Sequence, residues 1–165
     1  MPINPWISNN FLDSCAFDPK YSPEDKAANE ILRLHKEDEL LIIVAHSTEK
    51  EIEHPNTPNW VKNEAAKLLY TFRVSLTPDE NALLRRIEQA IAGEGKVANI
   101  TQDARHIFEA QKYGSYFITT DTRLLRRAPL IRTICRVHIL KPSEFLKVVR
   151  SYKQSDKEDL GIRDS

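Results

Sequence analysis

Short, continuous apolar runs alternate along this chain with longer stretches whose apolar residues recur every three or four positions. Phe11-Leu12, Leu40-Leu41-Ile42-Ile43-Val44, Tyr116-Phe117-Ile118 and Val137-His138-Ile139-Leu140 are the runs. A strand that is apolar at consecutive positions fits burial on both faces, as in a parallel sheet. The pattern predicts strands over Asn10–Ala16, Leu40–Ala45, Phe72–Leu76, Tyr116–Thr120 and Thr133–Leu140. Cys15 and Cys135 fall inside two of these and read as small buried hydrophobes.

Helices are predicted between the strands. Ser22-Pro23-Glu24-Asp25 reads as a helix start, with Ser22 as cap, Pro23 in the first turn and acids at the positive end of the dipole. Ala27, Ala28, Ile31, Leu32 and Leu34 then form its apolar stripe. Ser47 or Thr48 begins a short helix through Glu53, and Pro55-Asn56-Thr57-Pro58 breaks it. Asn59 to Leu69 follows, with Trp60, Val61, Ala65, Leu68 and Leu69 expected inward. Thr77-Pro78-Asp79-Glu80 caps a further helix, stopped by Gly93 and Gly95. Thr101 is expected to cap a helix to Gly114, and Asp121–Arg127 to make one turn or two before Pro129. Pro142-Ser143-Glu144 opens the last helix, and the polar residues from Ser151 are expected to fray. Alternation of this kind predicts an α/β fold with a mostly parallel, five-stranded sheet and helices on both faces.

Four carboxylates stand where buried elements end or begin: Asp13, Glu51, Asp103 and Asp121. In an α/β sheet such positions gather above the carboxyl ends of the strands. Four acids collected there repel one another unless a hard cation lies among them, so a divalent-metal site is expected. A plain role competes at each position. Asp13 suits a turn, Asp121 a helix cap, and Asp103, read as lying in a first turn, would be favoured by the dipole alone. Glu49, Glu51 and Glu53 compete for the second position. Glu49 and Glu53 share a helix face, Glu51 points away from them, and Ile52 must face the core, so one helix cannot aim all three at one spot. The histidines show no metal-ligand spacing, which argues against zinc.

Length and apolar content suit one domain, here residues 1–150 with a flexible tail over 151–165. No segment reaches the roughly 20 apolar residues of a membrane span, and the N-terminus lacks a signal-peptide pattern, so a soluble, cytoplasmic chain is expected. The net charge is zero, so no global field attracts a polyanion, yet the charges are segregated. From Asp121 to Arg150 the bases are Arg123, Arg126, Arg127, Arg132, Arg136, Lys141, Lys147 and Arg150, against only Asp121 and Glu144. From Glu24 to Glu53 acids prevail. A basic segment beside an acidic site suits a metal-dependent enzyme acting on a polyanion, and a solvated helix face explains the segment equally well.

Tyr116-Phe117-Ile118-Thr119-Thr120-Asp121-Thr122-Arg123-Leu124-Leu125 is the sharpest motif. Together with Phe11-Leu12-Asp13-Ser14 at the start, Asp103-x-x-His106-x-x-x-Ala110, and Val137 to Phe145 near the end, it resembles a PIN domain from about Asn10 to Val149. The resemblance implies a three-layer α/β/α sandwich with strand order 3-2-1-4-5. It also implies metal-dependent hydrolysis of RNA phosphodiesters, leaving 5′-phosphate and 3′-hydroxyl ends. Asp13, Glu51, Asp103 and Asp121 would hold Mg²⁺ or Mn²⁺, with Ser14, Thr119 and His106 behind them and Arg123, Arg126 and Arg127 on the RNA. Such a protein is a stand-alone ribonuclease or the toxin of a toxin–antitoxin pair, the latter expecting an antitoxin-like partner and a homodimer. A PIN-like fold can also serve as a non-catalytic RNA-binding or scaffolding module. A haloacid-dehalogenase-like phosphatase is excluded, because it needs a second Asp at position 15, which is Cys15.

Overall fold

Four strands pair in parallel, in the order β2-β1-β3-β4: Asn10–Leu12 (β1), Ile42–Ile43 (β2), Tyr116–Ile118 (β3) and His138–Leu140 (β4). The computed structural model describes residues 3–45, 52–68, 75–92 and 97–159. Six α-helices accompany the sheet among these residues: Glu24–Lys36 (α1), Asn59–Leu68 (α2), Pro78–Ile91 (α3), Val97–Tyr113 (α4), Thr122–Ile134 (α5) and Pro142–Asp159 (α6). None of the described helices is long and apolar enough to cross a membrane.

The register sets Leu12 beside Ile118 and Ile118 beside Leu140. Successive strand residues point to opposite faces. Leu12, Ile42, Tyr116 and Ile118 therefore enter one core, with Ile31 of α1, Val61 of α2 and Phe145 of α6. Phe11, Ile43, Phe117 and Ile139 enter the other, with Ile87 of α3, Ile107 and Phe108 of α4, and Ile131 of α5. Helices thus cover both faces, which is why the strands are apolar without alternation.

Two devices hold the layers in place. Glu24 of α1 is buried and accepts hydrogen bonds from the Ser143 N–H at 2.9 Å and the Ser143 hydroxyl at 2.6 Å. It thereby supplies the first turn of α6 with an acceptor and a negative charge. At the sheet edge opposite the acids, Gly114 lies against the β1 side, where an added Cβ would stand 2.4 Å from the Asn9 carbonyl oxygen and 2.9 Å from the Phe11 ring. A backbone carbonyl cannot swing away, so Gly114→Ala should destabilise the chain by about 1–3 kcal/mol. Chemical denaturation checks this; an unchanged midpoint would mean that α4 and β1 separate freely there.

Several predicted boundaries move. Four strands are found among the described residues, not five: residues 72–74 of the expected Phe72–Leu76 strand lie outside the described residues, and Ser75-Leu76 is irregular. The first strand ends at Leu12 rather than Ala16, because the Asp13 carboxylate accepts from the Ser14 N–H at 2.9 Å and caps a 3-10 turn over Ser14–Ala16. Ser22 does not cap α1; Pro23 holds the cap position without a side-chain bond. The expected capping box at Thr77 and Glu80 is present. Trp60 is exposed, not inward. Leu69, Ser47, Thr48, Gly93 and Gly95 lie outside the described residues.

The largest differences lie around the last strand. α5 runs through Pro129 to Ile134 and takes Thr133 and Ile134 from the expected strand. Pro129 is exposed, and burial of Leu124 and Ile131 offsets the backbone bond it forfeits. Cys135 is buried at the end of α5, whereas Cys15 lies in the 3-10 turn and is exposed; neither is in a strand. α6 continues to Asp159, past the expected start of a frayed tail at Ser151.

Candidate active site at the carboxyl edge of the sheet

β1 and β3 are neighbours, and the chain leaves them in opposite senses, β1 toward β2 and β3 toward β4. The carboxyl ends of such a pair form the crevice in which α/β folds bind ligands. Asp13 follows β1, and its N–H donates to the Ile118 carbonyl at 2.9 Å, continuing the ladder by one residue. Thr119-Thr120-Asp121 follows β3, and Asp121 caps α5 by accepting from the Arg123 N–H at 2.9 Å. Asp103 comes from α4. Asp13, Ser14, Cys15, Gln102, Asp103, Asp121 and Arg123 line one cleft of about 280 Å³.

Asp103 is the seventh residue of α4, which begins at Val97 rather than at Thr101. The dipole of a first turn therefore does not account for an acid here. Its position on the helix face turned toward the sheet edge leaves the cleft as its setting.

Thr119 links the two strand ends. It is fully buried, its hydroxyl donates to Asp13 Oδ2 at 2.8 Å, and its oxygen accepts from the Asp121 N–H at 3.0 Å. The Cys15 sulfur lies 3.3 Å from Asp13 Oδ2 and 3.4 Å from Thr119 Oγ1. Although Cys15 is exposed as a residue, its sulfur is turned into this network. Desolvation of the sulfur, then the Asp13 charge, pushes the thiol up to about 12, so it stays protonated and serves as a donor.

The three aspartates differ electrostatically. Burial, then the charge of Asp13, pushes the Asp103 carboxyl up to about 6, with His106 and Arg123 pulling against the rise. Burial also acts to raise Asp121, but hydrogen bonds from the Arg123 side chain and backbone outweigh it and hold that carboxyl below its ordinary value. Arg123 binds Asp121 as a fork, Nε to Oδ1 at 3.2 Å and Nη2 to Oδ2 at 2.7 Å, and Nη2 also lies 3.5 Å from Asp103 Oδ2. Among the described residues, no group of three or more His, Cys, Asp or Glu is spaced to hold a metal ion.

Of the four predicted acids, Asp13, Asp103 and Asp121 come together. Glu51 and its competitor Glu49 lie outside the described residues, while Glu53 is exposed. Ser14 lines the cleft, Thr119 bridges it from behind, and His106 is fully buried on α4, acting on Asp103 through its charge. Arg123 stands inside the acid cluster, whereas Arg126 is exposed further along α5.

Sequence reasoning missed Cys15 and Gln102 as lining residues. Gln102 adjoins Asp103, and Cys15 lies two residues past Asp13; proximity to the acids was the available signal. A second cleft of about 520 Å³ shares Ser14 and Cys15 and has Phe17, Ile52, Pro58 and Val61 among its walls. A scan against protein-family models finds no match for this chain, and a search of curated proteins finds none either.

Proposed function

We propose that this chain is a metal-dependent endoribonuclease of the PIN type, acting at Asp13, Asp103 and Asp121, with Glu51 as the expected fourth acid. The observation that carries the reading is the convergence of three carboxylates, from positions 13, 103 and 121, on one cleft at the crevice between β1 and β3. The strand order β2-β1-β3-β4 agrees with the 2-1-4-5 portion of the family order.

The donor set fits Mg²⁺ or Mn²⁺. All three groups are hard oxygen ligands, Asp103 is driven up to about 6 by burial and its neighbours, and a cationic guanidinium already stands between two of them. Bound there, the metal would supply an activated water and neutralise charge on the scissile phosphate. The chain's own contribution is orientation: Thr119 and the Ser14 N–H fix both oxygens of Asp13, and Asp121 is fixed as the cap of α5. The second cleft gives the RNA on one side of the scissile bond an apolar floor.

The deciding experiment incubates the purified chain with a pool of labelled RNAs in Mn²⁺ or Mg²⁺, with and without EDTA. Cleavage is expected only with metal, leaving 5′-phosphate ends. One observation favours a second reading, a non-catalytic RNA-binding module: Arg123 already neutralises Asp121 and Asp103. RNA binding with no cleavage in either metal would select it. As the toxin of a toxin–antitoxin pair, the protein would also take a partner peptide across the cleft and form a homodimer.

The basic face of α5 gives an independent check on the polyanion. Arg127 is half-buried with its Nε covered, so Arg126 is the exposed member of the pair. Replacing Arg126 by Ala should reduce the slope of log affinity against log salt by about 0.7, the value for one phosphate contact with single-stranded RNA. An unchanged slope would return Arg126 to a solvated face.

A further inference from the structure

We propose that Arg123 is the internal cation of this site, displaced from Asp121 and Asp103 when a divalent metal binds and transferred to the phosphate of the RNA. The inference rests on the metal-dependent reading above and adds a residue that competes with the metal.

The contacts of Asp121 carry it. Its Oδ1 accepts from both the Arg123 N–H and Nε, and its Oδ2 accepts from Nη2 at 2.7 Å. A metal on Oδ2 competes with Nη2 for the charge of that oxygen and repels the guanidinium. The same Nη2 lies 3.5 Å from Asp103 Oδ2, so one guanidinium nitrogen holds the two carboxylates that the metal needs.

The exchange needs no movement of α5. The backbone of Arg123 is held in the first turn by the Asp121 cap, through a bond to Oδ1 that leaves Oδ2 to the metal. The Arg123 side chain is about a third exposed, so it can rotate outward on its own flexible stem. Once the metal neutralises the carboxylates, the guanidinium is left at the rim of the cleft with its planar fork unmatched. A phosphate oxygen pair matches that fork as well as a carboxylate does. Arg123 is therefore a positioning residue whose ligand changes from carboxylate to phosphodiester.

Calorimetric titration with Mn²⁺ tests this on the full chain, comparing wild type with Arg123→Gln and Arg123→Lys. Arg123→Gln should bind Mn²⁺ about tenfold tighter, because no charge-assisted pair has to be broken. Arg123→Lys, which keeps the charge but loses the fork, should fall between the two. In saturating Mn²⁺, a labelled phosphorothioate oligonucleotide that resists cleavage should bind Arg123→Gln more weakly than wild type. Without metal Arg123→Gln should melt below wild type, and Mn²⁺ should raise its melting temperature by more. Equal Mn²⁺ affinity in wild type and the variants would overturn the role of Arg123 and leave the metal site standing. Absence of Mn²⁺ binding in every protein would overturn both. If Arg123→Gln does not fold, Arg123→Lys decides: affinity no tighter than wild type rejects the exchange.

Discussion

If the proposed function holds, Asp13→Asn should remove metal-dependent RNA cleavage and leave the fold standing. The amide keeps an oxygen for the Ser14 N–H, so the 3-10 turn retains its cap. What is lost is the anionic Oδ2 that Thr119 orients at 2.8 Å and that a cation would require. Replacing it by a neutral amide should lower the cleavage rate on the order of 10³-fold, the equivalent of several kcal/mol of charge stabilisation. The stability cost should be about 1–2 kcal/mol, because the amide nitrogen replaces the acceptor of both the Thr119 hydroxyl and the Cys15 thiol. Rate and melting temperature measured on the same preparation separate the two effects. Cleavage that survives Asp13→Asn, or survives EDTA, would place the chemistry elsewhere. Collapse of the fold would instead mean that Asp13 is held for the turn alone.

Asp103→Asn should act in opposite directions on activity and stability, and the stability gain should depend on pH. The Asp103 carboxyl titrates near 6 in the folded chain, above its ordinary 3.8. Below about pH 4 it is protonated whether the chain is folded or not, and it contributes nothing. Above about pH 6 it is charged in both states, and the folded chain bears the full cost of burying that charge beside Asp13. Wild-type stability from this group is therefore lost as pH rises between those limits. Asn carries no charge to bury, so the variant should be more stable at pH 7.5 by about 2–3 kcal/mol, at about 1.36 kcal/mol per unit. The gain should vanish near pH 4. Urea titrations at several pH values measure it; a gain undiminished at pH 4 would show that titration of this carboxyl is not its origin. Millimolar Mn²⁺ should shrink the difference at pH 7.5 by stabilising wild type.

The layers were more legible than the boundaries. Phe11-Leu12, Ile42-Ile43 and Tyr116-Phe117-Ile118 announce buried strands, because a residue covered on both faces has no polar alternative. The register that juxtaposes Asp13 and Asp121 follows from which strands pair, which no local pattern encodes. Boundaries failed where local preference and packing disagree. Pro129 suggests a break and Thr133–Val137 suggests strand, yet Ile131 is buried in the core with Val137, and α5 extends to meet that core. Asp103 was read as a helix start because Thr101 is a good cap, whereas the helix begins at Val97. For the site, Asp13 and Asp121 were legible as charges ending apolar runs, and Asp103 as an acid opening an amphipathic segment. Arg123 was expected on the RNA; its place between Asp121 and Asp103 was not visible, since Asp103 is twenty positions away in sequence and adjacent only in the fold.

The hydroxyl of Thr119 on Asp13 spans 106 positions of sequence. β1 lies in the interior of the sheet, yet one of its two neighbours is made only when β3 has been synthesised. Until then, the nascent chain carries an unpaired β1 edge, and its first acid lacks the Thr119 hydroxyl. Closing so long a loop is entropically costly and slow, and it comes late in folding. The cleft is thus assembled in time as well as in space: a ribosome-bound chain that stops short of residue 121 cannot bring the three aspartates together.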